Sequence, residues 1–202
     1  DLTPKTVLIM ERIGNSELIV NGDGSVFHLH LKPEHLADTV ILVGDPGRVQ
    51  MVASFFTSVE SSSSSREFNS VTGVYGGKRM TVLSTGIGCD NIDIVMTELD
   101  ALANVDFSTR TVREDRRRLT ILRIGSCGAL HADIPLGAYV FSDISIGFDG
   151  LLNWYAGREE VSDRGMEEAL MSHLGWNRYL PVPYFAKASE RLSALFADST
   201  VG

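Results

Sequence analysis

Three glycine-bearing stretches carry the residue types that hold an anion. In Val40-Ile41-Leu42-Val43-Gly44-Asp45-Pro46-Gly47-Arg48 an apolar run stops at a glycine and restarts as a helix with an arginine in its first turn. Asp45 is a good N-cap, and Pro46 suits the first helical position, where its missing N–H costs nothing. Arg48 then shares the space in front of the first-turn N–H groups and the positive end of the helix dipole, and its guanidinium can grip a phosphate through two oxygens. A plain strand-to-helix turn with a solvated arginine fits the same residues. The second stretch is Ser84-Thr85-Gly86-Ile87-Gly88, and the third is Arg123-Ile124-Gly125-Ser126-Cys127-Gly128, the end of an apolar run that begins at Leu119. Arginine inside such a run is either paired in the core, with Asp45 or Glu67, or lines a site, because unpaired burial would cost several kcal/mol. In a largely parallel sheet the carboxyl ends of neighbouring strands open into one crevice, so these three turns would face one ligand.

Other residues offer less definite chemistry. His28 and His30 lie two apart in Val26-Phe27-His28-Leu29-His30-Leu31, whose alternation predicts a strand with Phe27, Leu29 and Leu31 on one face and both histidines on the other. That second face is an exposed polar surface, a metal pair without a nearby third ligand, or a substrate contact. Trp154 and Tyr155, after Gly147-Phe148-Asp149-Gly150, suit either a flat ring substrate or core packing. The arginines of the Asn104 to Arg118 segment read as a solvated loop.

The elements that must position these groups alternate between strand and helix signals. An arm or a first short helix is expected around Lys5 to Ile13, and a strand-poor, polar tail at the far end. The opening helix continues from Val49 to Phe56, the serines from Ser61 to Ser65 read as a flexible loop, and Val71 to Tyr75, Gly76-Gly77 and Arg79 to Ser84 read as a hairpin. From Asn91, residues Ile92, Val95, Met96, Leu99 and Leu102 follow helical spacing, with Asp90 or Asn91 as cap. Ala138 to Ile146 is a fourth apolar run, and Met166 to Leu174 and Ala186 to Phe196 carry helical periodicity.

With 202 residues, 44% of them hydrophobic, the chain is long enough for one substantial core, and a single domain over residues 1–202 is expected. The net charge of −8 argues against nucleic acid or an anionic membrane as partner, while leaving room for a small anion held by a few arginines. Cys89 and Cys127 sit beside glycines and outside any spaced framework, so they read as free thiols of a reducing compartment. Neither a membrane span nor a signal peptide is legible, which points to the cytoplasm.

Phe27-His28-Leu29, Gly44 to Arg48, Arg66-Glu67-Phe68, Ser84 to Gly88 and Arg123 to Gly128 occur in the order seen in the nucleoside phosphorylases, and the chain most resembles the uridine phosphorylases among them. The resemblance runs from about Ser25 to Tyr155. It implies an α/β fold of three layers around a mixed, partly barrel-like sheet. It implies a pentosyltransferase that cleaves a nucleoside, uridine first, with inorganic phosphate to free base and ribose 1-phosphate, with no organic cofactor. It further implies a homo-oligomer, dimer or hexamer, with sites at subunit contacts. Gly44, Arg48, Arg123 and Ser126 match the family's phosphate site, with Arg48 and Arg123 the catalytic pair, and Arg66 matches the arginine contributed by a neighbouring subunit. His28 matches a histidine that reaches the ribose from the partner, Tyr155 a ring that packs on the base, and Glu67 and Asn91 a cation site for K⁺ or Ca²⁺.

Three departures accompany the resemblance. Asn104 to Arg118 is longer than the usual connection, Ser126 stands where threonine is more usual, and the family's C-terminal ribose- and base-binding segment is not found in these residues. Met166-Glu167-Glu168 is only superficially like that segment's Glu-Met-Glu, being too early and in an amphipathic helix. The alternatives are a purine nucleoside phosphorylase or nucleosidase of the same fold, and a non-catalytic phosphate-binding partner subunit.

Overall fold

A computed structural model describes residues 12–197 of the chain. Most of the helix expected around Lys5 to Ile13, and the polar tail, lie outside the described residues. The chain divides into two compact units, Asp1–Cys127 and Gly128–Gly202.

The first unit is built on β1 (Thr39–Val43), α1 (Pro46–Ala53), β2 (Ser58–Ser65), β3 (Phe68–Tyr75), β4 (Lys78–Ser84), α2 (Cys89–Asn104), the short pair β5 (Val105–Asp106) and β6 (Thr111–Val112), and β7 (Thr120–Ile124). Its main sheet runs β2-β3-β4-β1-β7, with β1 parallel to β4 and β7 and the β2-β3-β4 meander antiparallel. Alternation along β1 decides the layers. Val40 and Leu42 pack with Val95, Leu99 and Leu102 of α2, and Ile41 and Val43 pack with Val49 and Ala53 of α1. The expected three-layer mixed α/β arrangement is therefore present. The sheet, however, is open, with β2 and β7 as its edges, and among the described residues it closes into no barrel.

Several local expectations are corrected. Ser61 to Ser65 is not a loop but the end of edge strand β2, paired to β3 from Ser61↔Thr72 to Ser65↔Phe68. A polar edge strand carries no apolar face for periodicity to detect, and its ladder is made by backbone alone. Val26 to Leu31 is not a strand but a closed turn, in which the Val26 N–H donates to the Leu31 carbonyl (3.0 Å), the His30 N–H donates to the Val26 carbonyl (3.2 Å), and His30 has φ +49°. Leu29 and Leu31 still point into the core, but Phe27 is exposed. Neither Asp90 nor Asn91 caps α2; its N-cap is Gly88, at φ +110°. The Asn104 to Arg118 segment is more folded than a solvated loop. Arg110 donates to the carbonyls of Ile13, Gly14 and Leu18, and Arg117 donates to Asp38 (2.7 Å) and the Leu36 carbonyl (2.9 Å).

The second unit contains β8 (Ile144–Gly147), α3 (Arg158–Val161), α4 (Arg164–Leu174), β9 (Tyr184–Lys187) and α5 (Glu190–Ala197), with β8 and β9 antiparallel. The fourth apolar run is thus a strand only from Ile144, and Ala186 belongs to β9 rather than to the last helix, which starts at Glu190. No helix among the described residues is long and apolar enough to cross a membrane.

Candidate active site

A cleft of about 540 Å³ opens at the carboxyl ends of β1, β4 and β7, lined by Gly44, Asp45, Pro46, Arg48, Glu67, Gly86, Ile87, Asn91, Arg123, Gly125 and Ser126. That size falls in the range of small-molecule sites. Parallel pairing of β1 with both neighbours brings the three glycine turns together, as the sequence order implies. Pairing extends one step past the strands, where the Thr85 N–H donates to the Val43 carbonyl (2.8 Å) and the Gly86 N–H to the Gly44 carbonyl (2.9 Å).

Two guanidiniums face this cleft. Asp45 caps α1 by accepting from the Gly47 N–H (2.8 Å), and its carbonyl takes the Arg48 N–H (3.0 Å), so the first-turn donors expected to meet an anion are already satisfied. Anion attraction therefore falls to the side chains. Arg123 lies over the glycines: a methyl placed on Gly125 would stand 2.7 Å from its Nη1, and one on Gly44 would stand 4.0 Å from its Nη2. Arg123 is exposed, and it is not in the core salt bridge with Asp45 or Glu67 that its strand position allowed. Among the described residues neither Arg48 nor Arg123 is in an ion pair. Two uncompensated guanidiniums with the Ser126 hydroxyl can grip a phosphate through paired charge-assisted hydrogen bonds.

On the other side of the cleft, Asn91 donates to Glu67 Oε1 (2.9 Å) and to the Ile87 carbonyl (3.3 Å). Glu67 is held in turn by Ser84, a buried hydroxyl that donates to its carbonyl (2.6 Å). Gly86, at φ +68°, crosses this pair so closely that an added methyl would lie 2.7 Å from Asn91 Nδ2 and 2.8 Å from Glu67 Cγ. As a cation site Glu67 and Asn91 are thin. The amide turns its nitrogen to the carboxylate, and two side-chain oxygens fall well short of the six to eight that Ca²⁺ takes. Among the described residues no cluster of three metal-ligating His, Cys, Asp or Glu residues occurs.

Arg66 and His28 do not line the cleft of their own chain. Arg66 sits exposed in the turn between β2 and β3, at φ +54° and outside any ion pair among the described residues. His28 is held by Glu98, whose carboxylate accepts from its backbone N–H (3.0 Å) and stands 2.7 Å from its ring Nδ1. Sequence reasoning missed Glu98. It falls on the apolar stripe of α2 beside Val95, Leu99 and Leu102, and a carboxylate in a buried stripe signals a partner.

Tyr155 belongs to the second unit, at the end of a 3₁₀ turn from Leu151 to Trp154. Trp154 is almost fully exposed, while Phe148 stacks on Trp176 at 5.9 Å. Glu167 is buried in an ion pair with Arg158 (3.0 Å) and accepts from Ser162, so it is tied up within its own unit rather than free to meet a sugar. Among the described residues neither Cys89 nor Cys127 is in a disulfide.

The sequence model of the phosphorylase superfamily matches residues 38–201. A uridine phosphorylase of Thermococcus kodakarensis is 27% identical over 162 residues, covering 80% of this chain and 53% of that protein. A DeoD-type purine nucleoside phosphorylase of Chromobacterium violaceum is 36% identical over 110 residues, covering 54% of this chain and 41% of that protein. Among solved structures, a Trypanosoma brucei nucleoside phosphorylase described as showing uridine phosphorylase activity superposes with a TM-score of 0.75 at 28% identity, over 92% of this chain and 63% of that one. The chain spans about half the length of the curated relatives it matches.

Proposed function

The chain belongs to the phosphorylase superfamily, and from that premise we propose that it serves the phosphorolysis of a nucleoside, uridine first, to free base and ribose 1-phosphate. The observation that carries the reading is the convergence of Arg48 and Arg123, neither of them ion-paired, on one cleft at the carboxyl ends of three neighbouring strands. In such a reaction positive charge gathers on the ribose while the base leaves with negative charge. Phosphate held beneath the sugar is both nucleophile and counter-charge. Fixing it lowers the barrier by orientation and by electrostatics that are in place before the reaction starts. Arg48 and Arg123 would hold the dianion, with Gly44 and Ser126 completing its cradle.

Arg66 and His28 support a homo-oligomer, dimer or hexamer, because both lie outside their own cleft and would serve the cleft of a second copy. In that assembly Arg66 adds a third guanidinium to the phosphate and His28 meets the ribose, while Tyr155 packs on the base. K⁺ or Ca²⁺ at Glu67 and Asn91 would need oxygens from a second copy, and no step depends on it. Cysteines outside any disulfide are compatible with a reducing, cytoplasmic setting.

Uridine is put first because Tyr155 follows Phe148-Asp149-Gly150 at the spacing of a uridine phosphorylase and because of the trypanosomal neighbour. A purine nucleoside is the second reading, favoured by the higher identity of the DeoD-type relative. The test is base release from uridine, thymidine, inosine and adenosine with and without phosphate. Uracil released only with phosphate supports the proposal, and hypoxanthine or adenine supports the second reading. Release without phosphate marks a nucleosidase. No release, with phosphate still raising the melting temperature, marks a non-catalytic phosphate-binding subunit.

A further inference from the structure

Glu98 is a buried carboxylate on α2, and the groups it holds are 69 and 70 residues away in sequence. Its Oε1 accepts from the His28 N–H at 3.0 Å and stands 2.7 Å from ring Nδ1. Its Oε2 accepts from the Leu29 N–H at 2.9 Å and stands 3.2 Å from the His28 nitrogen. Backbone donors therefore occupy both oxygens, and an ionised carboxylate is an acceptor only, so the proton shared with the ring belongs to Nδ1. The other ring nitrogen, Nε2, has no hydrogen-bond partner among the described residues, and the side chain is partly exposed, 28%. Phe27 and Phe68 meet the ring edge-on, at centroid distances of 4.9 and 6.5 Å.

We infer that Glu98 is a positioning residue that fixes His28 as the Nδ1–H tautomer, so that the neutral ring presents Nε2 outward as an acceptor for a hydroxyl donor. The inference rests on the reading that His28 meets a nucleoside's ribose, and it adds a selection rule to that reading. An outward acceptor favours a sugar hydroxyl, which donates. It disfavours a phosphorylated sugar at that position, which offers the ring only acceptor oxygens. The histidine thus selects a free hydroxyl over its ionised phosphate ester at the sugar carbon that it meets.

Two measurements test this, and they fail separately. Long-range ¹H–¹⁵N correlation on the wild-type protein, at a pH where the His28 ring is neutral, should show Nδ1 protonated. A ring protonated at Nε2 would overturn the inference whatever the activity. In Glu98→Gln one acceptor oxygen becomes an amide donor, so the three converging donors no longer all find acceptors and the ring should shift toward the Nε2–H form. Kinetics with uridine and its 2′-, 3′- and 5′-deoxy analogues supply the second arm. Glu98→Gln and His28→Ala should each lower kcat/KM for uridine roughly tenfold and leave it unchanged for the one analogue lacking the hydroxyl that His28 meets. If the tautomer is as inferred but His28→Ala lowers kcat/KM equally for uridine and every analogue, the reading that His28 meets the ribose is refuted. If only Glu98→Gln lowers it equally, Glu98 acts through the fold and its positioning role is refuted.

Discussion

Replacing Arg123 by Met separates the cleft's function from its stability. The guanidinium is exposed and in no ion pair among the described residues, so its loss removes no structural contact that a methionine stem cannot replace. Stability without phosphate should stay within the ±0.5 kcal/mol typical of surface substitutions, a Tm change of about 2 °C or less. Phosphate binding should behave otherwise. Hydrogen bonds to charged groups contribute about 1.5–3 kcal/mol, and solvent screening places an exposed guanidinium in the lower part of that range, so affinity should fall about 10- to 30-fold. Phosphate at about 100 times the wild-type Kd stabilises by about 2.7 kcal/mol, and a Kd raised 10- to 30-fold leaves about 0.9–1.4 kcal/mol. The phosphate-induced rise in Tm should therefore shrink by about 3–7 °C, at 2–4 °C per kcal/mol for a chain of this size. Differential scanning fluorimetry across a phosphate titration reads both quantities. An unchanged phosphate-induced shift would refute the assignment of Arg123 to the anion, and a collapse of the phosphate-free Tm would show that the residue supports the fold.

Three further perturbations probe the scaffold. Gly73→Ala puts a methyl 2.3 Å from the Ser58 carbonyl oxygen and 2.6 Å from Phe56 Cδ2, forcing β2 away from β3, and should cost about 1–3 kcal/mol in chemical denaturation; an unchanged midpoint would contradict the close approach. Arg158→Met leaves the Glu167 carboxylate buried beside Ser162 without its cation, and urea unfolding should show a loss of about 3 kcal/mol, whereas no loss would mean the pair is not formed. Asp106 accepts first from the Ser108 hydroxyl and then from the Ser108 and Thr109 N–H groups, which hold its carboxyl below the ordinary 3.8. A depressed folded-state pKa means its contribution is whole above that ordinary value and is lost as pH falls through the folded one. The Tm difference between wild type and Asp106→Asn should therefore narrow below pH 4, and a difference that is flat with pH would count against the hydrogen bonds.

What the sequence disclosed and what it hid divide along locality. Gly44 to Arg48 could be read as strand, cap and helix because every interaction that shapes it lies within a few residues, down to Asp45 taking the Gly47 N–H. The meeting of that turn with Ser84 to Gly88 and Arg123 to Ser126 was legible because parallel strands leave their carboxyl ends on one side. Glu98 was hidden, since its role exists only once α2 is folded against the turn at His28. Val26 to Leu31 alternated like a strand, yet the backbone donors of His28 and Leu29 found a carboxylate in place of a neighbouring strand. Ser61 to Ser65 looked like a loop because its pairing is carried by backbone that no side-chain pattern reports. The cation site at Glu67 and Asn91 was implied by the resemblance and not by local pattern, and within one chain the Asn91 amide donates to Glu67.

Phosphorus-31 NMR of the protein incubated with uridine and inorganic phosphate addresses the proposed role of the cleft most directly. Growth of a ribose 1-phosphate resonance, matched by loss of inorganic phosphate and weakened by Arg48 or Arg123 substitution, is the expected result. Uracil released, as read by absorbance of the same sample, while the phosphate resonance stays constant and no phosphate-ester resonance grows would contradict it, because phosphate would then not be the nucleophile.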